Sequence, residues 1–228
     1  MIESNFPSVD ALNSGFAAKI ADLLREGIAA RGKASLIVSG GRTPQGMFAQ
    51  LSEQDLDWSK VVISLADERW VDASDDASNE KMVRGHLLKN KAAAARFVGL
   101  KNAADSAEQG VAGCVSEIKQ IPVPFDVVIL GMGEDGHTAS LFPCSAQIAQ
   151  GLDLNYPQPY LAVQPTTAPH WRMSLSLAAL LDSRKIFLHL TGEGKKVVLN
   201  QALAGTDEFE MPIRAVLQRA DVELVWAP

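Results

Sequence analysis

Two hydrophobic rhythms alternate along this chain. Val9, Leu12, Phe16, Ile20, Leu23 and Leu24 recur at helical spacing, so the chain is expected to open with an amphipathic helix that Gly32 ends. Ser35-Leu36-Ile37-Val38 is then a continuous apolar run, the pattern of a strand buried on both faces. Val61 to Ala66, Asp126 to Leu130, Ile186 to Leu190 and Val222 to Trp226 repeat it. Phe97 to Leu100, Tyr160 to Val163 and Met173 to Leu177 are shorter strand candidates. Between them, helices are expected from about Glu80 to Lys89, from Val111 to Ile118 and from Val197 to Leu203. Short buried strands alternating with helices predict an α/β fold. The expected form is a mostly parallel sheet flanked by helices on both faces, Rossmann-like and built as a single domain over residues 1–228.

Composition narrows the class. The chain has 228 residues, of which 47% are hydrophobic and 21% charged, enough for one sizeable core. No linker-like stretch divides it, and no internal repeat or low-complexity segment occurs. The net charge of −6 and the lack of a Lys/Arg block exclude a nucleic-acid surface. An anionic small molecule remains compatible, because a local cationic cavity can sit in an acidic protein. The apolar runs are too short to span a bilayer, and the first residues lack the basic and apolar regions of a signal peptide. Two cysteines, Cys114 and Cys144, form no disulfide framework and no metal-ligand spacing. A cytoplasmic location is expected. Monomer and homodimer both stay open.

The polar segments behind the buried strands carry the chemistry. SGGRTP (Ser39 to Pro44), DERWV (Asp67 to Val71), GMGEDGH (Gly131 to His137) and TGEGKK (Thr191 to Lys196) each follow a strand. In a parallel sheet such loops converge on one edge, where open α/β sheets bind ligands. In SGGRTP, Gly40 and Gly41 precede a helix whose first turn holds Pro44. Backbone N–H groups and the helix dipole at such a turn receive a phosphate. Arg42 adds a guanidinium, and Ser39 and Thr43 add hydroxyls. Asp67 and Arg69 are expected to face the crevice, whereas Glu68 reads as part of a solvated, salt-bridged loop. One of Lys195 and Lys196 is expected to reach a phosphate.

GMGEDG also matches the G-x-G-x-x-G dinucleotide pattern. Glu134 and Asp135 would repel a pyrophosphate there, and Pro143 interrupts a following helix early, so that reading is rejected. His137 is the histidine set among glycines, acids and small hydroxyl residues. It is the candidate general base, because histidine changes charge near neutral pH. Asp135, two residues earlier, is placed to orient the ring. Whether Asp67, Asp135 or Arg69 touches His137 stays open. His86 and His189 read as structural. Trp70, Trp171 and Trp226 read as packing, and Asp75-Asp76 as a solvated loop.

Together these segments resemble the 6-phosphogluconolactonase family. SGGRTP, DERWV, DASNEKM, GMGEDGHTASLFP, WRMSLSL and TGEGKK occur in that family's order and approximate spacing over nearly the whole chain. The resemblance implies hydrolysis of 6-phosphoglucono-δ-lactone to 6-phosphogluconate, the second step of the oxidative pentose phosphate pathway, with no metal and no cofactor. It implies His137 as base, supported by Asp135. Gly40, Gly41, Arg42, Thr43, Asp67, Arg69, Arg172 and Lys195 would hold sugar or phosphate.

Two rivals differ in chemistry. The related glucosamine-6-phosphate deaminases carry a loop resembling DGHIAFNEP, with an acid just before the proline that serves a proton relay. Phe142 occupies that place here, and a phenyl ring transfers no proton. Sugar-phosphate sensors of transcriptional repressors share a related fold behind a DNA-binding domain. No basic helix-turn-helix is recognised ahead of the first helix.

Overall fold

The computed structural model describes residues 2–228. β1 (Ile2–Asn5) leads into α1 (Val9–Arg31), and β2 (Ala34–Val38) is followed by α2 (Gln45–Ser52). Next come β3 (Val61–Leu65), β4 (Asp67–Arg69), α3 (Asn79–His86), β5 (Arg96–Val98) and α4 (Ala107–Ile118). β6 (Val127–Leu130), α5 (Ile148–Leu152), β7 (Tyr160–Val163), β8 (Arg172–Leu175) and α6 (Leu177–Leu181) form the third quarter. β9 (Ile186–Thr191), α7 (Glu193–Ala204), α8 (Ile213–Arg219) and β10 (Val222–Ala227) complete the chain.

The main sheet has seven strands in the order β1-β10-β9-β6-β2-β3-β5. Every pairing in it is parallel. β2, β3, β6 and β10 are buried at every position, which is why their sequences are apolar runs rather than alternations. α1 packs across β2, β6 and β10 through Leu12, Phe16, Ile20 and Leu24, four residues on one helical stripe. Full burial of such a side chain stabilises the fold by about 1.5–3 kcal/mol. Ser8 caps the start of α1 by accepting from the Ala11 N–H, and Gly32 caps its end by donating to the Ile28 carbonyl.

Three features depart from the expected pattern. Ile2–Asn5 adds an edge strand beside β10; its residues are largely exposed, so no apolar run announces it. α7 begins at Glu193, inside TGEGKK, rather than at Val197. Of the shorter strand candidates, Phe97 to Leu100 supplies the edge strand β5 of the main sheet, whereas the other two do not join it. β8 and β7 pair antiparallel, and β4 adds to them as a second, three-stranded sheet. The chain passes from β3 into β4 through Ala66 alone. The Ala66 N–H donates to Val38 in the main sheet, and its carbonyl accepts from Leu175 of β8. Ala66 is therefore the hinge that ties the two sheets together.

The order of strands reverses at β2: the chain goes outward through β3 and β5, then returns to β6 on the other side. The crevice outside such a reversal is where open sheets take ligands. Cys114 and Cys144 are both free. No helix among the described residues is long and apolar enough to cross a membrane.

His189 illustrates the cost of a polar group in this core. It lies in β9, 4% exposed, with its ring edge-on to Phe16 at 5.3 Å. Neither ring nitrogen has a partner among the described residues. Burial pushes its pKa down to about 4 from the ordinary 6.5. Above the ordinary value both folded and unfolded chains hold it neutral. Between the two values the unfolded chain binds a proton that the folded chain refuses, so stability falls as pH falls. The full loss is on the order of 3 kcal/mol. His189→Leu is expected to remove this part of the acid sensitivity between pH 7 and 4, measured by urea unfolding across that range; an unchanged pH slope would contradict it.

Candidate active site

At the switch point the structure opens a cavity of about 330 Å³. Its lining includes Ser39 to Pro44 from the loop after β2, Asp67 and Arg69 from β4, and Gly131 to Gly133 with His137 from the loop after β6. Arg172 from β8, Thr191 from the end of β9 and Lys195 from α7 also line it. The four polar segments read as loops do converge here, although Asp67–Arg69 is strand β4 and α7 begins inside Thr191 to Lys196. Asp135 stands behind this wall, in contact with His137.

The loop after β2 is shaped by a close approach. A Cβ at Gly40 would stand 1.8 Å from the Asn79 Oδ1, so only glycine fits there. Asn79, at the start of α3, is 2% exposed and donates to the Asp67 carbonyl at 2.9 Å. It lines the cavity and was not a sequence candidate, although it sits in the DASNEKM stretch. Pro44 occupies the N-cap of α2 in a helical conformation, one position before the first turn where the sequence placed it. The Ser39 hydroxyl is buried without a partner among the described residues.

β4 sorts its residues by alternation, since neighbours along a strand point to opposite faces. Asp67 and Arg69 face the cavity. Across the ladder Asp67 pairs with Ser174 and Arg69 with Arg172, so these side chains share a face. The Asp67 carboxylate accepts from the Ser140 hydroxyl at 2.6 Å and stands 3.9 Å from Arg172. Arg69 donates to the Ala77 carbonyl at 2.6 Å. Both arginines keep a buried Nε with no partner among the described residues. Burial weakens Arg172's hold on its proton, and Asp67 offsets part of that effect. Two guanidinium groups against one carboxylate leave an excess positive charge, which suits an anionic ligand.

Glu68 points the other way, and its reading as a solvated residue is overturned. It is fully buried. Its carboxylate accepts from the N–H groups of Arg69, Asn79 and Glu80 and from the Ser78 hydroxyl, at 2.7–3.1 Å. Burial pushes its pKa up, against the downward pull of the three backbone N–H groups. A carboxylate at the amino end of a helix is favourably placed. Glu68 thus fastens α3, and with it Asn79, to β4.

The loop after β6 turns at once rather than opening a helix, in keeping with rejection of the dinucleotide reading. A Cβ at Gly133 would fall 2.1 Å from the His137 Nδ1. The absent side chain leaves room for Asp135 and His137 to meet. The His137 Nδ1 lies 2.6 Å from the Asp135 Oδ1, which also accepts from the His137 N–H at 3.1 Å. Asp135 is therefore the group that touches the imidazole, not Asp67 or Arg69. Burial pushes the Asp135 carboxyl up, but the hydrogen bonds and charge of His137 outweigh it and the net shift is down. An ionised Asp135 accepts from Nδ1–H, which leaves the lone pair on Nε2.

Lys195 donates to the Met132 carbonyl at 2.9 Å and pairs with Glu134 at 2.6 Å. Lys196 lies instead 4.1 Å over the Trp226 ring, so of the two lysines Lys195 is the one that lines the cavity. Trp70 packs against Gly110 of α4, with Lys101 over its ring, and serves packing.

The molecule is thus an open α/β protein whose switch-point cavity is lined by a glycine loop, arginines, a lysine and an acid-supported histidine. The chain belongs to the glucosamine-6-phosphate isomerase/6-phosphogluconolactonase family, whose model matches residues 7–226. It is 44% identical over 225 residues to a 6-phosphogluconolactonase of Rhizobium meliloti, covering 98% of this chain and 97% of the relative. The crystal structure of a 6-phosphogluconolactonase from Shewanella baltica superposes with a TM-score of 0.98 at 50% identity, covering 100% of this chain and 98% of that one. A monomeric glucosamine-6-phosphate deaminase shares the fold at a TM-score of 0.82 and 17% identity, over 100% of this chain and 97% of its own.

Inorganic phosphate is expected to bind in this cavity. Arg42→Ala and Lys195→Ala should each weaken it by about 10-fold, the scale of one lost charge-assisted hydrogen bond. Glu134→Gln, which frees Lys195, should tighten it. Titration calorimetry at low salt checks all three, and a Glu134→Gln protein with weaker binding would contradict the arrangement.

Proposed function

We propose that this protein hydrolyses 6-phosphoglucono-δ-lactone to 6-phosphogluconate, the second step of the oxidative pentose phosphate pathway, in the cytoplasm. The observation that carries the mechanism is the Asp135–His137 pair at the cavity wall, with Nδ1 engaged at 2.6 Å and Nε2 left to accept a proton.

In this reading Arg42, Thr43, Lys195 and the backbone of Gly40 and Gly41 hold the phosphate. Asp67, Arg69 and Arg172 hold the sugar and the lactone end. A lactone carbonyl is already electrophilic, so an activated water suffices. His137 takes a proton from water as its oxygen attacks the carbonyl carbon. Asp135 stabilises the imidazolium that forms. Donors of the cavity steady the oxyanion. When the intermediate collapses, the carbon–ring-oxygen bond breaks and the departing oxygen receives the proton from His137. The products are a hydroxyl and a carboxylic acid, which ionises. The phosphate, remote from the reacting carbon, contributes orientation. Phe142 in place of an acid removes the proton relay that a deaminase needs. The reading requires no metal, no cofactor, no nucleic acid and no membrane.

The test is a spectrophotometric assay on freshly made lactone, corrected for spontaneous hydrolysis. His137→Asn is expected to keep its fold and its affinity for 6-phosphogluconate while kcat drops on the order of 10²–10⁴-fold. A kcat near wild type would place the base elsewhere, with Asp67 next in line. Loss of product affinity would make His137 a binding residue.

Exhaustive chelation is expected to leave the rate unchanged. Activity lost with chelator and restored by a divalent ion would refute the metal-free mechanism.

A further inference from the structure

We infer that Phe142 is a positioning residue for His137, acting through the face of its ring. The two rings are stacked, with centroids 3.9 Å apart and planes inclined by 24°. Phe142 is 3% exposed. Its carbonyl accepts from both the N–H and the hydroxyl of Ser145, at 3.1 and 3.0 Å, and the Leu141 N–H donates to Thr138 at 3.0 Å. A tight, bonded turn therefore presents a buried ring to the imidazole.

The imidazole itself is less confined, because its side chain is 27% exposed. One hydrogen bond from Nδ1 to Asp135 fixes a point, not a plane. Small coupled changes in χ1 and χ2 still tilt the ring, and Nε2 moves with it. A flat partner against the imidazole face removes that motion. Asp135 thus sets the tautomer, and Phe142 sets the direction in which the Nε2 lone pair points. The same ring face favours the cation that His137 becomes on taking a proton.

Arg172 also approaches Phe142, its guanidinium carbon 5.1 Å from the ring centroid. One ring therefore touches both the proposed base and a cavity arginine, and kinetics can separate the two contacts. A ring that serves His137 acts on kcat; a ring that serves Arg172 acts on KM. The inference rests on His137 being the base, as proposed above.

The experiment measures kcat and KM for Phe142→Leu and Phe142→Tyr, each in the wild-type and His137→Asn backgrounds. Phe142→Leu is expected to lower kcat by on the order of 10–100-fold with KM within about 3-fold, the scale of a misdirected catalytic group. Phe142→Tyr keeps the aromatic face and should restore kcat to within about 3-fold of wild type. In the His137→Asn background, Phe142→Leu should cost almost nothing further, because residues that act as a unit are not additive. Should Phe142→Leu fail to fold, Phe142→Met carries the same comparison. The inference is overturned if kcat of the Leu variant matches wild type, if KM rises while kcat holds, or if the loss is as large without His137. A fully active His137→Asn protein would sink the base assignment itself. An inactive one beside a fully active Phe142→Leu would sink only the role of the ring.

Discussion

Parallel strands cannot be joined by hairpins; each needs a crossover that carries the chain back over a face of the sheet. In this protein that requirement places the carboxyl ends of all seven strands of the main sheet on one edge. Because the chain builds outward from β2 in one direction and then in the other, the loops after β2 and β6 part and leave a crevice between them. The glycine loop and the Asp135–His137 loop are neighbours for that reason, though more than eighty residues separate them along the chain, a distance no local interaction spans.

The second sheet supplies what the first cannot. A parallel sheet buried on both faces has little room for ionised side chains. Ala66 hands the chain from β3 to β4, and the antiparallel ladder with β8 sets Arg172 opposite Arg69 and beside Asp67. Two guanidinium groups this close repel, and burying them is unfavourable in isolation. Asp67, itself held by Ser140, compensates only one. The remaining charge is available to an anion. Glu68, on the other face, bonds to the Arg69 N–H, the amino end of α3 and the Ser78 hydroxyl, and so holds that helix and Asn79 in place; its charge also favours the ionised Arg172.

The periodicity of the chain determined a good deal by itself. A strand buried on both faces must be apolar throughout, so β2, β3, β6, β9 and β10 were legible as runs; of the polar segments behind the first four, those after β2 and β6 are loops, whereas Asp67–Arg69 folds as β4 and Glu193 already opens α7. His137 stood out because its neighbours are small and polar, unlike those of His189. The resemblance of these loops to one family carried the substrate and the list of binding residues. What the sequence left open was whatever depends on folded geometry: how a loop turns, and which distant segments meet. The 2.6 Å contact between Asp135 and His137 needed the turn geometry that Gly133 permits. Glu68 looks like any acid in a charged loop, and only the alternation of β4, seen in its ladder, turns it inward to α3. Asn79 gave no chemical signal, since its role comes from contact with Gly40 across a gap of nearly forty residues. The stacking of Phe142 on His137 likewise appears only once the turn is folded. Local pattern reports which residues are buried and which segments are strands; the partners of a buried polar group are chosen by tertiary packing, because the groups that satisfy it come from elsewhere in the chain.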